Sequence, residues 1–332
     1  MKKLRFLLIP KSNNFRDIIN IKDISYELKK KGYECICLTS QISDGNLEYI
    51  LEEESFNYVL RVNKGKPEKI NKNIRFISWL KDISDSNDLL NFNENDLIYT
   101  LKRCSSLNKK LKITQMMPAA NSFKKINTLS DYELIDNKTD SFQNIDMSIV
   151  SNYALVELFN GNKEVIYKKN KKKSDKYNNL QELIHNLDKK YITEVYGLID
   201  YSKINKNKNI VFNGEINNFN YFFEIFRKSK FNILFEDEYI DFNTNFFNIL
   251  MVQGTLIFDK KLLTQIQDYL RIEEDCSNYF LNYDNSQEFN FNISSYFDNY
   301  KKRIEIGRNA AGLIKKKHLY KNRVDQLMND LK

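Results

Sequence analysis

The chain has 332 residues, 42% of them hydrophobic and 13% aromatic, which suits two packed domains and excludes wholesale disorder. Nine Gly and three Pro are too few for a collagenous or linker-rich protein, and the net charge of +8 is a balance of 52 basic and 44 acidic residues, so a solvated Lys-rich surface is the first reading and an anionic partner the second. No apolar run reaches the roughly 20 residues that cross a bilayer, and MKKLRFLLIP lacks the ~7–15 apolar residues of a signal peptide.

Residues 4–9 read as a buried strand, and 17–31 as a helix with Ile18, Ile21, Ile24 and Leu28 at helical spacing and Gly32 just past its end. Residues 34–38 give a second strand, completing a βαβ opening. Residues 10–14 contain no glycine, so this turn is not a GxGxxG dinucleotide loop. Cys35 and Cys37 alternate on one strand face, without CxxC spacing or a nearby His; with Cys104 and Cys276 they read as reduced thiols, neither zinc ligands nor a disulfide framework. Strands follow at 58–62, 75–79, 97–100 and 112–116, and a first α/β domain is expected over 1–140.

The second domain, 141–332, opens with a strand at 147–150; residues 168–179 read as a Lys/Asn-rich surface loop, and strands follow at 195–197 and 210–212. Then comes the most informative stretch, 211–260. A strand ends in Asn213-Gly214, and an amphipathic helix leads to the apolar run 231–235. After the polar loop 236–245, a helix at 246–252 stops at Gly254, which is expected to end it with a positive φ, and a strand at 255–258 closes the unit. This alternation predicts a parallel sheet with crossover helices. Ligands of such sheets bind beyond the strands' carboxyl ends, where the 236–245 loop falls. The end of the chain, from about Ser294, reads as helical, with Tyr296, Tyr300, Ile304 and Ile306 on one face and His318, Tyr320 and Arg323 on a last helix with Val324 and Leu327.

The blocks over 146–332 resemble the GT-B glycosyltransferases, in particular the CgeB-like branch grouped with the glycosyl transferases group 1 C-terminal domain. They are DMSIVSN at 146–152, Tyr196-Gly197, Phe212-Asn213-Gly214, FRKSKFNILF at 226–235, FNTNFFNILMVQG at 242–254, and Arg303, Gly307, Arg308, His318, Tyr320 and Arg323 in the tail. In the first half RFISWLKD at 75–82 and MMPAA at 116–120 are similar to the family's strand-and-W-x-x-D loop and its L-P-P/A strand end. The resemblance implies two Rossmann-like domains facing across a cleft, with a C-terminal helix crossing back to the first. It implies a metal-independent glycosyltransferase without cofactor that moves sugar from a nucleotide-sugar donor to a glycan or protein acceptor in the cytoplasm. No nucleic-acid partner is expected, and peripheral contact with a membrane stays open. The donor would lie against Asn213, Gly214, Glu215, Lys228, Lys230, Asp241, Asn243, Asn245, Asn248 and Gly254. Asp82, just past a strand end, would be the catalytic base; a helix-capping role is the plainer reading.

His185 and His318 read as structural, and Lys228 and Lys230 equally as partners of a helix dipole. Two departures favour a second reading, a degenerate GT-B protein that binds a ligand or partner without turnover. Asn245 stands where the family has Arg, which meets diphosphate as a fork. Asn248 stands where it has Glu, and an amide cannot accept both ribose hydroxyls as a carboxylate does. Glu236, Glu238 and Asp241 stand nearby in sequence.

Overall fold

The computed structural model describes residues 4–70, 73–80, 89, 91–101, 111–121, 143–150, 190–196, 209–214, 216, 219–234, 245–272 and 275–332. Asp82, Cys104, the expected boundary near 140, the lysines of 168–173, His185, Glu215, Glu236, Glu238, Asp241 and Asn243 lie outside the described residues. The chain divides into two compact units, Met1–Lys124 with Lys317–Lys332, and Lys125–Lys316.

The first unit is built on a six-stranded parallel sheet of β1 (Arg5–Ile9), β2 (Glu34–Cys37), β3 (Tyr58–Val62), β4 (Arg75–Leu80), β5 (Leu97–Thr100) and β6 (Lys112–Gln115), in the order β2-β1-β3-β4-β5-β6. The near-continuous apolar runs of β1, β3 and β4 bury Leu7, Ile9, Val59 and Phe76, as strands covered on both faces must. Between β1 and β2 runs α1 (Phe15–Lys30), capped by the Asn14 side chain, which accepts from the Arg16 N–H at 3.0 Å. It ends at Gly32, whose φ of 90° suits a residue without Cβ. The second helix, α2 (Asp44–Glu53), is capped in the same way by Ser43. Cys35 and Cys37 are free, and half-buried on the edge strand; desolvation pushes the Cys35 thiol up to about 11, so it stays protonated at neutral pH.

The second unit carries a matching parallel sheet of β7 (Ile145–Val150), β8 (Thr193–Tyr196), β9 (Ile210–Asn213), β10 (Ser229–Leu234), β11 (Leu256–Asp259) and β12 (Leu281–Tyr283), in the order β12-β11-β10-β7-β8-β9. Its helices are α3 (Phe219–Lys228), α4 (Asn245–Met251), α5 (Leu263–Leu270), α6 (Ser286–Phe297) and α7 (Tyr300–Lys317). One sheet face presents Met147, Ile149, Val195, Phe231, Ile233 and Ile257 to Phe289, Ile293 and Ile306 of α6 and α7. The helical end expected from Ser294 begins eight residues earlier, at Ser286, and breaks at Asp298 into two helices.

The last helix, α8 (Tyr320–Asp330), returns to the first unit and packs on α1. Arg323 fastens it, donating to the carbonyls of Met117 and Pro118 at 2.7 and 3.0 Å. It also reaches His318 Nδ1 at 3.2 Å; Arg only donates, so this nitrogen accepts and the imidazole proton sits on Nε2. Further along, Asp330 accepts from the Tyr99 phenol and Arg75 donates to the Leu331 carbonyl. His318 and Arg323 are therefore structural latches, as the tail resemblance implies.

Candidate functional site

The order of the second sheet sets where a ligand can sit. From β7 the chain builds outward to β8 and β9, then returns to place β10 on the other side of β7. The connections leaving β7 and β10 thus diverge, and the gap between their carboxyl ends is the switch point at which α/β sheets bind ligands. Asn245, the first residue of α4, has its amide on that gap, donating to the Val150 carbonyl at the end of β7 at 3.0 Å. Asn245 and Asn248 are only 2% and 1% exposed.

Along the same edge, register places Val150, Tyr196 and Asn213 level with one another. The Asn213 amide donates to Glu194 Oε2 at 2.9 Å, and the Tyr196 phenol donates to the same oxygen. Burial and that hydrogen bond push the Tyr196 hydroxyl far above the usual tyrosine range, so it is a permanent donor. Gly214 follows, exposed.

The turn after α4 is fixed by close packing. Gln253, not Gly254, takes the left-handed conformation, with φ 61°. The expected positive φ at Gly254 is therefore corrected: glycine is needed there for space. A Cβ at 254 would stand 2.8 Å from Asn232 Nδ2 and 3.0 Å from the Ile249 carbonyl oxygen. A Cβ at Gly307, on α7, would overlap the Gln253 carbonyl. Beneath the turn lies Asn232, a buried residue of β10 that sequence reasoning passed over. It accepts from Ser148 Oγ on β7 at 2.9 Å and donates to the Phe226 carbonyl at 3.0 Å, joining β7, β10 and α3 under α4. A polar side chain at 232, inside the apolar run 231–235, marks the position without saying what it meets.

Lys228 and Lys230 do not join this group. Helix α3 runs back from the carboxyl edge, so its last turn and the start of β10 lie at the amino edge. There Lys228 pairs with Glu224, while Lys230 pairs with Asp146 at 3.2 Å and lies over the Phe297 ring. The structure thus brings Asn213, Gly214 and Asn245 to one edge, with Asn248 and Gly254 on the helix and turn behind it, and leaves both lysines at the other.

The sequence profile of a family described as glycosyl transferase-like matches residues 155–329, just over half of the chain. A search of curated proteins gives no match. Among solved structures, the chain is similar to sucrose-phosphate synthase from Thermosynechococcus elongatus, with a TM-score of 0.64 at 8% identity over 99% of each chain. It is also similar to HepE from Anabaena in complex with UDP and glucose (TM-score 0.56, 10% identity, 99% of each chain) and to a glycosyltransferase from Rickettsia africae (TM-score 0.55, 10% identity, 100% of this chain and 98% of that one). Two parallel six-stranded sheets with flanking helices match these GT-B structures, two Rossmann-like domains in one chain. Among the described residues, no helix is long and apolar enough to cross a membrane.

Proposed function

This chain belongs to the glycosyl transferase-like family, and from that premise we propose that it moves a sugar from a nucleotide-sugar donor to a glycan or protein acceptor without a bound metal. The observation that carries the reading is the switch point of the second sheet, where Asn245, inside the family-matched segment, is fixed on Val150 at the end of β7. HepE, similar in fold, has been solved with UDP and with UDP-glucose, which supports a nucleotide sugar as the donor class.

In this reading the donor lies across Asn213, Gly214 and Asn245, with Glu215, Asp241 and Asn243 on the connections that leave those strands, and Asn248 and Gly254 shaping the helix behind. Lys228 and Lys230, bound to carboxylates at the opposite edge, take no part. The diphosphate is met by backbone N–H groups, which stabilise the charge that develops on the leaving oxygen without a cation. Asp82 takes the proton of the acceptor hydroxyl as its oxygen bonds to the anomeric carbon and the nucleoside diphosphate departs.

A second reading keeps the fold and the binding but not the chemistry, and the neutral, buried Asn245 and Asn248 favour it. Incubation with UDP-, GDP-, ADP-, CMP- and TDP-linked sugars in EDTA separates the two. The proposed enzyme releases nucleoside monophosphate from the CMP-linked sugar or diphosphate from one of the others, faster with a hydroxyl acceptor present and no slower for the chelator. Binding of a donor without release, with either glycan or protein acceptors, would leave the second reading standing.

A further inference from the structure

The α3 side of the second sheet carries a polar row inside the strands. Asn232, Ser148 and Glu194 stand level on β10, β7 and β8. The first two satisfy each other. Glu194 differs: it is half-buried, and among the described residues no cation pairs with it. A carboxylate drawn out of water normally has such a partner, because its desolvation is otherwise uncompensated. Both donors it does have, the Tyr196 phenol and the Asn213 amide, meet the one oxygen Oε2. Among the described residues nothing donates to Oε1.

This arrangement also fixes Asn213. A carboxylate only accepts, so the NH2 of Asn213 must face Glu194 and its carbonyl oxygen must face away. Glu194 Oε1 and Asn213 Oδ1 then belong to one hydrogen-bonded pair of side chains, and among the described residues neither has a donor. Two acceptors and a net negative charge reject phosphate and suit hydroxyl donors. An aromatic ring stands by the Tyr196 that holds Glu194: Tyr221, in the first turn of α3, is 52% exposed and edge-on to Tyr196 with centroids 6.3 Å apart. An open ring is a surface for the apolar face of a sugar.

We propose that Glu194, Asn213 and Tyr221 form a subsite for a vicinal diol of the donor, whose two hydroxyls donate to Glu194 Oε1 and Asn213 Oδ1. The proposal rests on the donor reading above and adds a carboxylate from β8 to it. Tyr196 acts behind this subsite as a positioning residue, holding the carboxylate from the buried side. Such a diol is supplied either by the ribose of the nucleotide or by the sugar to be transferred.

The test is calorimetric titration of the full chain with UDP, GDP, ADP, CMP and TDP and with their sugar conjugates, first on the unaltered protein and then on Glu194→Gln. This substitution keeps an oxygen for Tyr196 and Asn213 and removes the charge. It is expected to weaken binding about tenfold, the scale of one charge-assisted hydrogen bond reduced to a neutral one. If the diol is ribose, the unconjugated nucleotide shows the loss, and its 2′-deoxy form binds the unaltered chain about as weakly as the ribonucleotide binds the variant. If it is the transferred sugar, the unconjugated nucleotide is unaffected and only the conjugate weakens. Equal dissociation constants on both proteins, for nucleotide and conjugate alike, overturn the diol subsite and leave the donor reading intact. Failure of the unaltered chain to bind any of them overturns the donor reading, and the subsite with it. Should Glu194→Gln fail to fold, Tyr221→Ala probes the same subsite from the exposed ring, with a severalfold loss expected and an unchanged constant counting against it.

Discussion

A methyl group at position 254 has no room. Gly254→Ala would press on the amide of Asn232 and on the Ile249 carbonyl, and Gly307→Ala on the backbone of Gln253. Forcing atoms into a filled core costs about 1–3 kcal/mol. Gly307→Ala is expected at the upper end, because the three opposing atoms are all Gln253 backbone, whereas Asn232 can shift part of the strain at 254. Urea unfolding of both variants checks this, and a change under about 0.5 kcal/mol, the range of neutral surface substitutions, would show that the turn is looser than its packing implies. The importance of Gly254 was legible in the sequence and its cause was not. A helix stop followed by glycine suggests a left-handed residue, but which of two neighbours turns left is decided by α7 arriving from fifty residues away. Glu194 and Asn232 were illegible for the same reason. Each is a polar residue within a strand, and its meaning comes from Tyr196, Asn213 or Ser148, which the parallel register brings beside it.

At the scale of elements, hydrophobic runs located most strands of both sheets, since strands buried on both faces read as continuous apolar segments. β12 escaped notice because three residues carry no period. Lys228 at the end of α3 and Lys230 at the start of β10 were misplaced for a topological reason: a crossover helix begins at the carboxyl edge and ends at the amino edge, so residues at that turn lie away from a ligand at the carboxyl edge. The return of the terminal helix to the first unit was read from the resemblance of its tail, and His318, expected on that helix, stands two residues before it, where its carbonyl accepts from the Ala120 N–H. At its start the helix is held by Arg323, which meets the Met117 and Pro118 carbonyls and His318, and at its end by Asp330 and Leu331. Arg323→Ala leaves those half-buried carbonyls without their donor. It should cost about 2–4 kcal/mol and speed amide exchange in α8 and in the facing turn of α1 before the sheet of the first unit is affected. Exchange that accelerates evenly over the whole first unit would mean that α8 is not a separate, weakly held element.

For the whole molecule, similarity to sucrose-phosphate synthase and HepE extends over 99% of each chain at 8–10% identity. At that divergence what is kept is the layering of two parallel sheets and the place of the switch point, while side chains at that point are free to change. In the proposed donor site Asn245 and Asn248 would be such changes. The net charge of +8 does not decide between partners, because Lys228 and Lys230 are paired with carboxylates at the amino edge of the second sheet, while Glu194 has no cation among the described residues. On the proposed function the second unit holds a working nucleotide site. Its most direct test is the thermal unfolding of the full chain with UDP, GDP, ADP, CMP and TDP at millimolar concentration. A nucleotide at 100 times its dissociation constant adds about 2.7 kcal/mol of stability, which should raise the midpoint by roughly 5–10 °C for a domain of this size. One base standing out from the others is the predicted result; five unshifted curves would contradict it.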